Sequence, residues 1–178
     1  MVALGSAAPD FALRDVVTGR TVTRAGAAGP KGMLAMFICR HCPFVKHVQD
    51  QLAKIGREYA TSGVGIVAIS ANDESTHPED SPANLAAMAK ELGFSFPYLF
   101  DESQDVAKAY DAQCTPDFFL YDAKGTLVYR GQLDDSRPGN GLPVTGKDLR
   151  AALDALVAGR AIPPEQRPSI GCNIKWKT

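Results

Sequence analysis

The feature that most constrains this chain is an apolar run that ends in two closely spaced cysteines. Residues 33–38 read MLAMFI, with Lys31-Gly32 before them and Cys39 directly after. A short run that is apolar at every position and bounded by turn residues is typical of a strand buried on both faces, as in parallel sheets. Cys42-Pro43 follows, and proline is favoured at the first position of a helix. The sequence therefore predicts Cys39 at the end of a buried strand and Cys42 at the start of a helix.

The rest of the chain continues the alternation of strands and helices. An amphipathic helix should follow the cysteines, because apolar residues recur there every three or four positions: Phe44, Val48, Leu52, Ile55 and Tyr59. Residues 64–69 are predicted to form a second buried strand. A helix with Ser81 at its N-cap and Pro82 at its first position should then end at Gly93.

Further elements complete an α/β pattern. A hairpin is predicted at 11–23, a strand at 98–100, a short helix at 103–110, and a second hairpin from strands 117–121 and 126–130. Thr145-x-x-Asp148 resembles a capping box that opens a last helix ending at Gly159. The order predicts an α/β sheet with helices on both faces. No repeat or long linker divides the 178 residues, so we expect one domain, with a core at about 5–160 and a tail, 161–178, packed on it through Trp176.

Composition excludes several classes of function. Apolar residues make up 45% of the chain, charged residues 22%, and the net charge is −1, which favours a soluble globular protein without a nucleic-acid footprint. No window is apolar enough for a membrane span, and the N-terminus, MVALGSAAPDF, lacks the basic region of a signal peptide. We therefore expect a cytoplasmic protein. Four cysteines in such a compartment indicate catalysis or metal binding rather than a disulfide scaffold.

A Cys-x-x-Cys pair at a helix start favours redox chemistry. The unpaired N–H groups and the dipole of a helix N-terminus stabilise a thiolate, and can lower a thiol pKa from about 8.5 to roughly 7 or below. Cys39, in front of the helix and nearer solvent, should attack a partner disulfide, and Cys42 should resolve the mixed disulfide. Arg40 and His41 lie between them and would tune the couple to a potential between roughly −270 and −120 mV, unless they form only a solvated turn.

A second motif carries a family resemblance. Cys114-Thr115-Pro116 precedes an apolar strand, and the opening GSAAPDFALRD contains Ala-Pro-Asp-Phe. The chain resembles the thioredoxin-like superfamily, and within it a peroxiredoxin-like (redoxin, AhpC/TSA-type) branch that carries a thioredoxin-type Cys-x-x-Cys. The resemblance implies a central mixed β-sheet flanked by helices, an N-terminal β-hairpin and an extra strand–helix insertion. It also implies a cis Thr115-Pro116 bond that faces the cysteines and binds partner backbone.

The chain departs from both models of the resemblance. Thioredoxin has Trp before its first cysteine, Gly-Pro between the two and a buried Asp six residues ahead; here these positions hold Ile38, Arg40-His41 and Met33. Proton transfer must then involve water, His41 or a group elsewhere. Peroxiredoxins carry Pro-x-x-x-Thr-x-x-Cys, which neither cysteine of this pair matches, so dedicated peroxidase activity is disfavoured.

The remaining candidates carry weaker signals. Cys114 and Cys172 are additional thiols that either take part in exchange or simply pack. A structural zinc site would need four ligands, which the scattered cysteines, His41 and His47 supply poorly, so no metal or organic cofactor is expected. His47 should lie on the exposed side of its helix, and His77 and the Glu79-Asp80 pair in an exposed acidic loop. The predicted function is thiol–disulfide exchange with dithiol or disulfide proteins; a thiol peroxidase and a non-catalytic binding protein are the alternatives.

Overall fold

The computed structural model describes residues 1–178 and contains nine strands and five α-helices. The strands are β1 Ala12–Asp15, β2 Thr21–Thr23, β3 Gly32–Phe37, β4 Val64–Ser70, β5 Tyr98–Phe100, β6 Cys114–Thr115, β7 Asp117–Asp122, β8 Leu127–Gly131 and β9 Cys172–Asn173. The helices are α1 Arg24–Ala27, α2 Pro43–Glu58, α3 Pro82–Leu92, α4 Asp105–Ala109 and α5 Lys147–Val157, with a 3₁₀ turn at Pro78–Asp80. None of the helices combines the length and apolar character needed to cross a membrane.

The strands form a mixed central sheet. One half has the order β2-β1-β5-β4 and the other β3-β7-β8. β3 lies beside β4, and Ile38 N donates to Ile69 O at 3.0 Å where the two strands end. β4 and β5 are parallel, whereas β3 and β7 are antiparallel. β5 and α4 stand between α3 and β6 and supply the strand–helix insertion, so the predicted fold class is confirmed.

The position of β3 between two cores explains why its sequence is apolar throughout. Alternate side chains of a strand point to opposite faces of the sheet. Leu34, Met36 and Ile38 pack in one core with α2, α3 and α5, whereas Met33, Ala35 and Phe37 pack in a second core with α4. Each buried large side chain contributes roughly 1.5–3 kcal/mol. The strand is therefore fixed from both sides, and it holds Cys39 at its end.

The helix signals near the site are confirmed in one case and wrong in another. Ser81 Oγ accepts from Asn84 N at 3.3 Å, and Gly93 ends α3 in the left-handed conformation. The capping box at Thr145 is not formed, because the N-cap of α5 is Gly146. The buried carboxylate of Asp134 accepts the N–H groups of Thr145 and Gly146, at 2.8 and 2.7 Å, and sets where the helix begins.

Both predicted hairpins are present. β1 and β2 pair antiparallel with Leu13 opposite Val22, and β7 and β8 pair with a register shift next to Leu120. Gly125 turns the second hairpin with φ of 76°. These hairpins extend the sheet on either side of β3, so the strand that leads to the cysteines is central.

The tail lies against the domain through a short ladder. β9 pairs antiparallel with β6, with Thr115 opposite Cys172. Ile174 is buried, whereas Trp176 is 40% exposed and contacts the domain through Lys108 Nζ, 5.7 Å from its ring centroid, so the isoleucine is the more deeply packed residue of this segment. Lys175 N donates to Asn72 Oδ1 at 2.9 Å and extends the attachment beyond β9. The tail thereby reaches the edge of the site.

Candidate active site

Cys39 and Cys42 occupy the junction of β3 and α2. Cys39 follows the last residues of β3, and Cys42 is the N-cap of α2 with Pro43 at the first helical position. Neither cysteine has accessible surface, so the expectation that Cys39 lies nearer solvent is wrong. The cover comes from β6 and β9, because Thr115 lies against Cys39 and Cys172 against Cys42.

Thr115-Pro116 lies where the resemblance predicted it. The peptide bond between the two residues is cis. Thr115 Oγ1 is 3.4 Å from Cys39 Sγ, and the Thr115 carbonyl oxygen is 3.4 Å from Cys42 Sγ. One residue therefore contacts both thiols, with its side chain and with its backbone.

The pKa values of the two thiols are shifted in opposite directions. The hydrogen bond from Cys39 lowers the pKa of Cys42 to about 4, outweighing the opposite effect of burial, with help from Cys172 and Thr115. The same hydrogen bond, burial and the negative charge of Asp80 raise the pKa of Cys39. The thiolate was expected on Cys39, but these contacts place it on Cys42. The physical reason is that the hydrogen bond from Cys39, with those of Cys172, Thr115 and the backbone of Val45, stabilises the negative charge on Cys42.

Asp80 is a site residue that the sequence did not reveal. It was expected in an exposed acidic loop, but it has no accessible surface. Its carboxylate accepts hydrogen bonds from the backbone N–H groups of Arg40 and His41 and from Asn72 Nδ2, at 2.7, 3.1 and 3.0 Å. The second carboxylate oxygen also contacts His41 Nδ1. No local pattern marks an aspartate for burial, because its partners lie in distant segments.

His41 and Arg40 face different neighbours. The His41 ring is 19% exposed and lies on His77, with ring centroids 4.8 Å apart. The Arg40 guanidinium donates to Asn84 O at 2.7 Å and pairs with Glu91 at 3.3 Å. It contacts neither thiol. No direct contact therefore supports the predicted tuning of the thiols by Arg40. His41 is linked to Cys39 through Asp80, which contacts the His41 ring and whose charge raises the pKa of Cys39.

The other two cysteines differ in their surroundings. Cys172 Sγ lies 2.6 Å from Cys42 Sγ. Cys114 Sγ instead lies near the carbonyl oxygens of Pro116 and Ser169, at 3.5 and 3.9 Å, and burial raises its pKa to about 12. The structure therefore groups three thiols and leaves Cys114 outside the group. All four cysteines are free thiols.

The structure also places His47 and a group of three possible metal ligands. His47 is partly buried rather than exposed, and its Nε2 has no hydrogen-bond partner. Cys39, His41 and Asp80 place one ligand atom each within 4.8 Å of one another. They could supply three ligands to a zinc ion. In this arrangement His41 Nδ1 and Asp80 bind each other, which satisfies both groups without an ion.

A mixed sheet flanked by helices, with paired thiols facing a cis Thr-Pro bond, defines a thioredoxin-like protein. The AhpC/TSA family model matches residues 4–130, and the chain belongs to this family. The resemblance seen in the sequence is thereby confirmed.

Individual relatives extend this comparison. The chain is 28% identical over 124 residues to the thiol-disulfide oxidoreductase ResA of Halalkalibacterium halodurans, covering 70% of this chain and 65% of that protein. The chain thus spans a little under two thirds of that relative. An uncharacterized conserved protein from Geobacillus kaustophilus shares 56% identity over 99% of this chain and 94% of its own, with a TM-score of 0.97. A putative thiol:disulfide interchange protein DsbE from Chlorobium tepidum, at 19% identity, 88% and 99% coverage and a TM-score of 0.68, shows the shared fold.

Proposed function

We propose that this protein is a thiol–disulfide oxidoreductase that exchanges a Cys39–Cys42 disulfide with partner proteins. The observation that carries the proposal is the pair of buried thiols at the N-terminus of α2, both in contact with Thr115 at 3.4 Å. Relatives named as thiol-disulfide oxidoreductases support the class of reaction at 28–29% identity.

The exchange has two steps. Once β9 moves away from β6 and uncovers the pair, proton transfer between the thiols places the thiolate on Cys39, which attacks one sulfur of a partner disulfide and expels the other as a thiolate. Cys42 gives the proton it received to the expelled partner thiolate and, as a thiolate, attacks Cys39 in the mixed disulfide; the bond between Cys39 and the partner breaks, and the partner's second thiolate takes up a proton from water. The partner leaves with two thiols, and two electrons have passed from the protein, which now carries the Cys39–Cys42 disulfide.

The neighbouring groups have separate roles in this proposal. Thr115 positions the partner backbone beside Cys39, next to Pro116. The pair formed by His41 and Asp80 offers the nearest place for the proton that the thiols release, because Asp80 lies beside Cys39 and is bound to the ring. In this proposal, His41 and Asp80 take the role in proton transfer that a buried Asp on the preceding strand has in thioredoxin, where this chain has Met33.

A redox titration tests the proposal. The Cys114→Ser/Cys172→Ser variant retains only the pair and is equilibrated in glutathione buffers, quenched by alkylation and mapped by mass spectrometry. We expect a two-electron transition to the Cys39–Cys42 disulfide, with a midpoint between roughly −270 and −120 mV. Adding Cys39→Ser to the same background should abolish it. Absence of that disulfide at every potential would overturn the proposal.

A trapping experiment examines the partners. In the Cys114→Ser/Cys172→Ser background, Cys42→Ser should accumulate mixed disulfides at Cys39, because no second thiol remains to release them, whereas Cys39→Ser should lose dithiol exchange. The partners are proposed to be dithiol or disulfide proteins, and the cytoplasmic location stays a prediction. Stoichiometric consumption of hydroperoxide would instead favour a peroxidase, and thiols inert at neutral pH a binding protein.

A further inference from the structure

Cys42 lies between two thiols rather than beside one. It shares with Cys39 the contact with Thr115, and its Sγ is 2.6 Å from Cys172 Sγ. Even carbon atoms pack no closer than roughly 3.5–4.0 Å, and a disulfide bond is about 2.05 Å long. No atom can intervene, so closing a bond between Cys42 and Cys172 requires a sulfur displacement of only about 0.5 Å.

The backbone of the tail holds Cys172 in this position. β9 pairs with β6 so that Cys172 is opposite Thr115, the residue that contacts both other thiols. Gly171 lies so close to β6 that an added Cβ would stand 2.0 Å from Thr115 O. Ile174, two residues beyond Cys172, is buried. Backbone pairing on one side and a buried side chain on the other therefore fix the contact.

Exposure distinguishes Cys172 from the other two thiols. Cys39 and Cys42 have no accessible surface, whereas Cys172 is partly exposed. Cys172 is therefore the residue of this group of three that lies at the protein surface while β9 stays paired.

We infer that Cys172 is a third redox thiol, which exchanges with the Cys39–Cys42 disulfide and carries it to the surface as a Cys42–Cys172 disulfide. This inference rests on the proposed function. The Cys172 thiolate, having lost its proton to water, attacks Cys42 Sγ; the Cys42–Cys172 bond forms, the Cys39–Cys42 bond breaks, and Cys39 leaves as a thiolate that takes up a proton. The number of disulfides is unchanged, so the step needs no oxidant.

The electrostatics favour this order of events. In the reduced protein, burial together with the hydrogen bond and charge of Cys42 raises the pKa of Cys172 to about 11. Oxidation of Cys42 removes its negative charge and therefore two of these three causes. The Cys172 thiol becomes easier to deprotonate when the Cys39–Cys42 disulfide is present, which is when its attack is required.

We call this transfer of the disulfide from Cys39–Cys42 to Cys42–Cys172 the relay. The relay also defines the class of partner. A dithiol partner in solution attacks Cys172 of the Cys42–Cys172 disulfide, and its second thiol completes the release. The protein regains Cys42 and Cys172 as thiols, and the partner leaves oxidised. The buried pair then needs no direct contact with the partner in this half of the cycle.

Disulfide mapping tests the relay without relying on turnover. The Cys39→Ser/Cys114→Ser variant is treated under native conditions with oxidised glutathione, quenched by alkylation and mapped. We expect an intramolecular Cys42–Cys172 disulfide. The matched Cys39→Ser/Cys172→Ser variant keeps Cys114 in place of Cys172 and should give only glutathione adducts. An internal Cys42–Cys114 bond in the control, or adducts without a Cys42–Cys172 bond in the test variant, would overturn the relay.

The unmodified chain provides a second measurement that does not depend on the folding of the variants. Samples of the native protein are quenched along a glutathione series. We expect Cys39–Cys42 and Cys42–Cys172 disulfides in the same samples at intermediate potentials. Cys39–Cys42 alone at every potential would refute the relay and leave the proposed function intact, whereas loss of the Cys39–Cys42 disulfide itself would refute the proposed function.

Discussion

Asp80 binds His41 twice, accepting its backbone N–H at 3.1 Å and contacting ring Nδ1 with the other carboxylate oxygen. The same carboxylate accepts the N–H of Arg40 at 2.7 Å. A single buried side chain therefore fixes the turn between the two cysteines. Its negative charge also raises the pKa of Cys39. The residue that fixes the turn therefore disfavours the thiolate of Cys39.

Asp80→Asn should make the disulfide more oxidising. Removing the negative charge stabilises the thiolate of the reduced pair, so the potential of the Cys39–Cys42 couple should rise, by about 30 mV for a tenfold change in the equilibrium. The amide would also present donors to Asn72, at a cost of about 1–3 kcal/mol in the free energy of unfolding. Glutathione titration and denaturant unfolding measure the two effects.

Glu79→Gln is the matched control for that substitution. It removes a negative charge one residue away, but Glu79 is 64% exposed and faces Lys46 at 3.8 Å rather than the thiols. Both the potential and the free energy of unfolding should remain at their wild-type values. An equal rise in potential in the two variants would show that net charge, and not the buried contact, tunes the couple.

The thiolate of the reduced protein should disappear when Cys42 is replaced. In a Cys114→Ser background its ultraviolet absorbance should persist down to a pH of about 4, the pKa of Cys42. Cys42→Ser should remove the absorbance at neutral pH, because it deletes the thiol of low pKa, and burial and the charge of Asp80 still raise the pKa of Cys39. Cys39→Ser should instead shift the titration to higher pH, since Cys42 loses its hydrogen-bond donor. Absorbance that survives in Cys42→Ser and vanishes in Cys39→Ser would place the thiolate on Cys39.

The sequence was sufficient for features set by neighbouring residues. The apolar run 33–38, the Ser81-Pro82 helix start and the turn at Gly125 depend on local propensity and periodicity, and each is present. The cis Thr115-Pro116 bond was predicted only from the resemblance to the thioredoxin-like superfamily. Side-chain burial that depends on distant segments was not predictable in this way.

Asp80 and Cys172 show why the rest of the site could not be predicted. Asp80 reaches His41 across 39 residues, and Cys172 reaches Cys42 across 130. Neither residue stands in a local pattern that distinguishes it from solvated acidic residues or an incidental tail cysteine. The same limit applies to α5, where Asp134, 12 residues before Gly146, overrides the local capping signal.

Gly171→Ala should release the tail from the site. The new Cβ would stand 2.0 Å from Thr115 O, so β9 could not keep its pairing with β6. Cys39 and Cys42 would become accessible, and their alkylation by iodoacetamide under native conditions should accelerate. Quantitative mass spectrometry of each cysteine peptide measures the rates, and the melting temperature should fall as the ladder is lost.

Ile170→Ala separates this clash from a general loosening of the tail. Ile170 is 55% exposed and adjoins Gly171, so its truncation shortens a side chain without blocking the approach to Thr115. Alkylation rates should match those of the wild type. Equal acceleration in the two variants would mean that the β6–β9 ladder is not what covers the thiols.

Asp117, the first residue of β7, should make the protein less stable as the pH rises through 6. Burial, partly opposed by backbone hydrogen bonds that include Gln113 N, raises its pKa from 3.8 to about 6. The folded protein therefore holds this proton more tightly than the unfolded chain. The resulting stabilisation is complete below a pH of about 4 and is lost above about 6, a change of about 3 kcal/mol for a shift of about two pKa units. Asp117→Asn should flatten this part of the curve in denaturant unfolding at a series of pH values. Asp50→Asn, at an exposed position of α2, should leave the curve unchanged. A dependence that persists in Asp117→Asn would assign it to another group.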